Sequence, residues 1–148
     1  MERVYEKYAW VIFLALGLMW MVVGLVQVFS PDELLETDAQ LITGMSWSEL
    51  KASSPVATDL VRFHYGLMGL LKTSWSLFVL AIALTGYRKG EKWAWYTLWL
   101  APLILVWSAI FNVSFVGDVN RALQSIPIIT VTLLGLLLPI RKFFPRKS

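Results

Sequence analysis

Apolar and polar positions in this chain fall into long blocks. There is no period of two, and no single amphipathic stripe runs from end to end. Four blocks, at about 10–29, 66–86, 93–116 and 123–140, are almost wholly apolar. A helix rises 1.5 Å per residue, so about 20 residues cross the ~30 Å hydrocarbon core of a bilayer. The first three blocks reach that length, and the fourth spans with little tilt. Open sheets cannot satisfy their edges in lipid, so strands are set aside. The first block is longer than the h-region of a signal peptide, usually about 7–15 residues. "VFSPDE" follows it without a small-x-small cleavage site, so it is read as a retained span. The pattern predicts an all-α transmembrane four-helix bundle, one domain over 1–148, with short helices in the outer loop between spans one and two.

That loop, 30–59, is long for a plain connection. "SPDE" puts Ser30 at an N-cap, Pro31 at the first helical position and Glu33 at the third. "SWSE" repeats the pattern with Ser46 and Glu49, so each stretch reads as a capping box. These signals predict short helices at about 31–36 and 47–52. Leu34, Leu35, Leu41, Ile42, Met45, Trp47 and Leu50 would then face the bundle or the membrane surface. Ser54 before Pro55 gives a third start, and that helix is expected to run directly into span two.

Composition strengthens the membrane reading. Hydrophobic residues make up 57% of the chain and charged residues 16%, against about 45–50% and about 25% in soluble domains. The distribution of charge gives an orientation. Arg3 and Lys7, then Arg88, Lys89 and Lys92, then Arg141, Lys142, Arg146 and Lys147 all fall on one side, read as cytoplasmic. The loop 30–59 holds Asp32, Glu33, Glu36, Asp38, Glu49 and Asp59 against Lys51, and falls on the other. The expectation is a multi-pass cell-membrane protein with a basic tail, 141–148, and both termini cytoplasmic. In "GYRKGEKWAWYTLW" the cations Arg88, Lys89 and Lys92 form the turn, with Gly90 at its tip. Tyr87, Trp93, Trp95, Tyr96 and Trp99 read as an aromatic belt at headgroup depth. The basic edges suit anionic lipid headgroups, and nothing points to nucleic acid.

Several chemistries are excluded. The chain has no cysteine, so disulfides, iron–sulfur clusters and thiol catalysis are out. The single histidine, His64, rules out bis-histidine haem within one chain and His/Cys zinc. No Asp or Glu lies within a span, which leaves paired-carboxylate acid–base chemistry without candidates at depth. No metal, no cofactor and no catalytic residue is assigned.

Polar residues inside spans are costly and therefore informative. Lys72 is the one formal charge well inside a span. It either snorkels to the interface or faces inward to bind an anion, a carbonyl or an acidic partner. At helical steps Asp59, Arg62, Tyr65, Gly69, Lys72 and Ser76 share a face, and His64 lies on a neighbouring one. Ser108 and Asn112 lie one turn apart in span three, with Asp118 just beyond. Gln27 is near the outer end of span one, and Arg121 and Gln124 open span four. An outward-opening pocket accounts for this cluster, and so does ordinary interhelical hydrogen bonding. The candidate ligand-binding residues are Lys72, Asn112, Ser108, His64, Arg62, Asp59 and Gln27. Glycines at 17, 24, 66 and 69 allow close helix approach. Pro102 is expected to kink span three, and Pro127 lies near the start of span four.

The order of features, with "YRKGEKWAWY" closing span two, resembles uncharacterised small four-helix membrane proteins of archaea and bacteria. Those proteins carry a similar Arg/Lys-Gly-Glu-Arg/Lys-Trp-Ala-Trp turn. The similarity covers most of the chain, and the turn sets topology without implying an activity. The architecture is also remotely similar to the emopamil-binding and sigma-2-receptor superfamily. Those are four-helix cores with both ends cytoplasmic, which bind or isomerise sterol-like lipids. The acidic residues which that family buries are missing here, so none of its catalytic residues is carried over.

The leading expectation is a non-enzymatic binder of a lipid or small apolar molecule, or an accessory subunit of a membrane complex. The expected partners are the bilayer, such a ligand, and other membrane subunits or further copies of the chain. One alternative is a membrane enzyme acting on a lipid or isoprenoid at the outer leaflet, using Lys72, His64 and Asp59. The other is a transporter that works only as an oligomer.

Overall fold

The structure is a computed structural model that describes residues 4–117 and 119–145. Arg3, Asp118, Arg146 and Lys147, all used in the sequence reading, lie outside the described residues. The order of helices is α1 (Val4–Tyr8), α2 (Trp10–Phe29), α3 (Pro31–Thr43), α4 (Trp47–Ser53) and α5 (Pro55–Ile82). A single π-helical turn, Ala83–Tyr87, follows, then α6 (Lys92–Leu98), α7 (Leu100–Val116), α8 (Val119–Leu137) and α9 (Ile140–Phe143). No strand occurs among the described residues. Four segments are long and apolar enough to cross a membrane: Tyr5–Phe29, Pro55–Tyr87, Lys92–Phe115 and Ala122–Phe143. The helix starting at Pro55 does run unbroken into the second apolar block, as its start signal predicts.

The chain divides into two compact units, Met1–Gly17 with Phe78–Ser148, and Leu18–Leu77. The first unit is organised around Tyr87. Its core joins Ala9, Phe13, Val79, Ala83, Tyr87, Ala94, Leu98, Leu136 and Phe143. The Tyr87 ring meets Phe13 edge-on at 5.0 Å and Phe143 at 4.7 Å between centroids. Its hydroxyl donates to the carbonyl of Gly135. A Cβ on Gly135 would lie 3.1 Å from the Phe13 ring, so the missing side chain lets that ring seat against α8.

Tyr87 therefore corrects the belt reading. It is 2% exposed and belongs to the core, because its hydroxyl has a carbonyl to bind inside the protein. Trp95 also turns inward and donates from Nε1 to Leu136 O at 2.9 Å. Trp99 is half-buried beside it, with ring centroids 5.6 Å apart. Trp93 and Tyr96 remain exposed, and Trp93 Nε1 donates to the Glu91 carboxylate. The turn closes with Gly90 N–H donating to Tyr87 O and Glu91 N–H donating to Gly86 O, each at 3.0 Å. Gly90 has φ +80°, a left-handed conformation that L side chains avoid.

One further expectation shifts. The break in the third apolar segment falls at Trp99, ahead of Pro102. Proline has no N–H to give the carbonyl one turn back, at Leu98, so the helix restarts there. The Trp99 amide turns to Tyr96 O at 3.2 Å instead. The start of the basic tail is ordered. Ile140–Phe143 forms a helical turn and Phe143 is 1% exposed, so Arg141 and Lys142 are held by the core residue that follows them. Pro127 sits well inside α8, which continues through it.

The second unit is built on α3 and α4, with a core of Leu35, Ala39 and Trp47 against Leu50 and Tyr65. Helix α3 runs past the expected end near residue 36 to Thr43, and is stopped by Gly44 at φ +73°. The predicted box at Ser30 does not form, since the Ser30 side chain makes no capping bond. The box at Ser46 does form: its hydroxyl accepts from Glu49 N–H, and the Glu49 carboxylate accepts from Ser46 N–H.

Replacing Tyr87 with Phe keeps the ring packing and deletes one buried hydrogen bond. The expected cost is about 0.5–1.5 kcal/mol, read as a lower melting temperature of the reconstituted protein with unchanged helix content.

Candidate ligand site

The second unit contains a close crossing of two long helices. A Cβ on Gly24 would lie 2.8 Å from Gly69 O, and a Cβ on Gly69 would lie 2.7 Å from Gly24 O and 2.8 Å from Gln27 Cβ. Only glycine at both positions lets α2 and α5 approach this closely. The seam lines up Trp20, Gly24 and Gln27 on α2 with Gly69, Lys72, Thr73 and Ser76 on α5, at the helical spacings that share one face. Thr73 and Ser76 hydroxyls donate back to Gly69 O at 2.9 Å and Lys72 O at 2.8 Å, so these two are satisfied locally.

Two polar groups on the seam are not satisfied in this way. Gln27 is 7% exposed, and its side-chain Oε1 is buried with no hydrogen-bond partner. Lys72 is half-buried, with Nζ 5.4 Å from the centre of the Trp20 ring. A cation over an indole face is stabilised by the ring quadrupole, but the contact leaves the ammonium protons free to donate. The seam thus carries a hydrogen-bond donor from α5 and an orphan acceptor from α2.

Above the seam lies an ionic cap. Asp32 accepts from Lys51 Nζ at 2.7 Å and from Trp47 Nε1 at 3.1 Å, and pairs with Arg62 at 3.2 Å. Trp47 N–H donates to Glu36 at 3.0 Å, which ties α4 to α3. The hydrogen bond from Lys51 holds the Asp32 carboxyl below its ordinary range. Burial opposes it, and the smaller effects of the Trp47 hydrogen bond and the Arg62 charge lower it further. Glu49 is held low by the Ser46 amide and hydroxyl.

The structure brings together only some of the residues picked from the sequence. Gln27 and Lys72 share the seam. Arg62 is engaged by Asp32. Asp59 is exposed. His64 is exposed, its Nδ1 paired with Leu60 O at 2.9 Å and its ring edge-on to Phe63. It lies about 12 Å up the helix from Lys72. Ser108 and Asn112 belong to the first unit, where Asn112 Nδ2 donates to Ser108 O at 2.8 Å. Gln124 is exposed, and the Arg121 side chain is outside what is described. The sequence reading missed Trp20, which underlies Lys72, and Asp32, which organises the cap. A tryptophan two helical turns before Gln27 was the available signal for the first. Among the described residues no group of His, Asp and Glu could hold a metal. Comparison with protein-family models, with curated proteins and with solved structures finds no match.

The lowered carboxyl groups give the cap a pH dependence with a definite sign. A carboxylate whose folded pKa lies below its unfolded one stabilises above the unfolded value and loses that effect as pH falls through the folded one. The Trp47 Nε1–H resonance should therefore hold its position from neutral pH down and move only below 3.8, the ordinary aspartate value. Asp32→Asn should alter that resonance at neutral pH. A midpoint at or above 3.8 contradicts the assignment.

Proposed function

We propose that this chain is a multi-pass integral membrane protein whose four long helices form a bundle. In this reading the 88–92 turn and both termini are cytoplasmic, and α3 and α4 cap the opposite face. The protein binds a lipid or small apolar molecule without turning it over. The polar group of that ligand accepts from Lys72 and donates to Gln27 Oε1, and its apolar body lies along the helices.

The observation that carries this reading is the buried, unpartnered Gln27 Oε1 on the same seam as the Lys72 ammonium. Burying a polar group without a partner costs several kilocalories per mole in a wholly apolar setting, so such groups mark places where something else binds. The outward surfaces of the long helices support the membrane setting. Phe78, Trp107 and Phe115 are 65%, 75% and 81% exposed, on segments that lipid would cover. His64 is held by its own helix, and the geometry gives it no proton to move for Lys72, so no reaction is proposed.

The test is native mass spectrometry of the protein extracted in nanodiscs from its own membrane. The expected result is a reproducible small-molecule adduct, reduced at least about tenfold in occupancy by Lys72→Ala or by Gln27→Leu, the loss of one charge-assisted or buried hydrogen bond. An adduct unaffected by both changes overturns the site. Release of other polypeptides with no adduct makes the chain an accessory subunit and the seam a packing contact.

A further inference from the structure

The first unit carries a second unexplained feature, independent of the Lys72 seam. Its cations are held in place by aromatic rings rather than by carboxylates. Arg88 lies over Trp10 at 5.1 Å and Lys92 over Phe144 at 5.4 Å. Neither forms an ion pair among the described residues. Lys89 and Arg141 are exposed. Helix α9 brings Arg141 and Lys142 to the 88–92 turn: a Cβ at Gly90 would lie 3.3 Å from Lys142 Cγ and Cε. Phe143, packed on Tyr87, fixes that approach. Of the nearby carboxylates, Glu91 accepts from Trp93 Nε1, and Glu6 is buried.

Chain segments some fifty residues apart in sequence are thus folded into one positive surface. The rings that position the cations, Trp10 and Phe144, also pack against the core of the unit. An ordered cation pays less entropy on binding an anion than a free surface lysine does. Rings that join the core below and carry positive charge above suit a boundary between hydrocarbon and phosphate.

We propose that the turn 88–92 together with α9 forms a binding surface for the phosphate groups of anionic phospholipids. Arg88 and Lys92 are its fixed cations, and Lys89 and Arg141 its outer ones. This rests on the four apolar segments crossing a bilayer, and not on the ligand proposed for the Lys72 seam. Basic clusters immediately beside membrane spans attract anionic lipid in this way.

The experiment places the protein in nanodiscs of equal phosphatidylcholine and phosphatidylglycerol and counts retained lipids by native mass spectrometry. The unchanged chain should retain phosphatidylglycerol in excess. Arg88→Gln with Lys92→Gln should lower that preference about fivefold per cation removed, the effect of roughly 1 kcal/mol for each basic residue at an anionic surface. The pair Lys89→Gln with Arg141→Gln changes two exposed side chains, and should lower it in the same direction. That pair decides the matter if the first variant fails to fold. Melting in phosphatidylcholine alone verifies the folding of each. Equal retention of the two lipids, or an excess unchanged in the folded variants, overturns the proposal. So does an acidic polypeptide that is released with the protein from its own membrane while the two lipids are retained equally. Failure of the protein to enter either bilayer overturns it through the spans, a result distinct from losing the lipid preference.

Discussion

Polar groups on apolar helices must find their partners within the protein, and most of this structure follows from how they do so. Thr73, Ser76, Thr85, Thr97, Thr130 and Thr132 each donate to the carbonyl one turn back. Asn112 does the same through its amide. Such bonds cost little and commit the side chain to its own helix, which leaves the helix exteriors apolar. Where the partner lies on another segment, the bond positions that segment. Tyr87 reaches Gly135, and Trp95 reaches Leu136. These two bonds tie the second and third long segments to α8 at a single level.

The exceptions stand out against that background. Gln27 Oε1 on the α2–α5 seam has no partner, and the Lys72 ammonium rests on an indole ring rather than on a carboxylate. The glycine pair at 24 and 69 makes both possible. A larger residue at either position would separate the helices, and Gln27 would then reach water or lipid. The same close approach that seals the seam leaves Gln27 Oε1 without a partner and the Lys72 ammonium over the Trp20 ring. Trp99 Nε1 is a second buried polar atom without a partner, a donor beside the break that Pro102 imposes. Its ring packs edge-on against Trp95 at 5.6 Å between centroids.

Much of this was legible in the sequence where the rule involved is local. The four apolar segments, the box at Ser46 and the start at Pro55 depend on residues within one or two turns of each other, and each was readable. The end of α3 was missed: the reading stopped it near residue 36, whereas Gly44 supplies the left-handed stop after Thr43. The acidic composition of 30–59 drew attention to that loop but could not say that Asp32 would gather Lys51, Arg62 and Trp47. Tyr87 was misread for a related reason. A tyrosine beside a basic turn fits an interfacial belt, and only knowledge of Gly135, 48 residues away, makes it a core residue. Lys72 was legible as an anomaly, but not the ring beneath it, since that required knowing which face of α2 lies alongside.

The account turns on whether Gln27 and Lys72 bind one molecule. The most direct measurement is the nitrogen NMR signal of the Gln27 side-chain amide and of the Lys72 ammonium in bilayers of a single synthetic lipid. The lipid extract of the protein's own membrane is then added. The account predicts that both signals shift together and saturate at the same added amount, while the Asn112 amide, bonded to its own helix, stays in place. Signals from Gln27 and Lys72 that remain fixed, or that move independently, would contradict it.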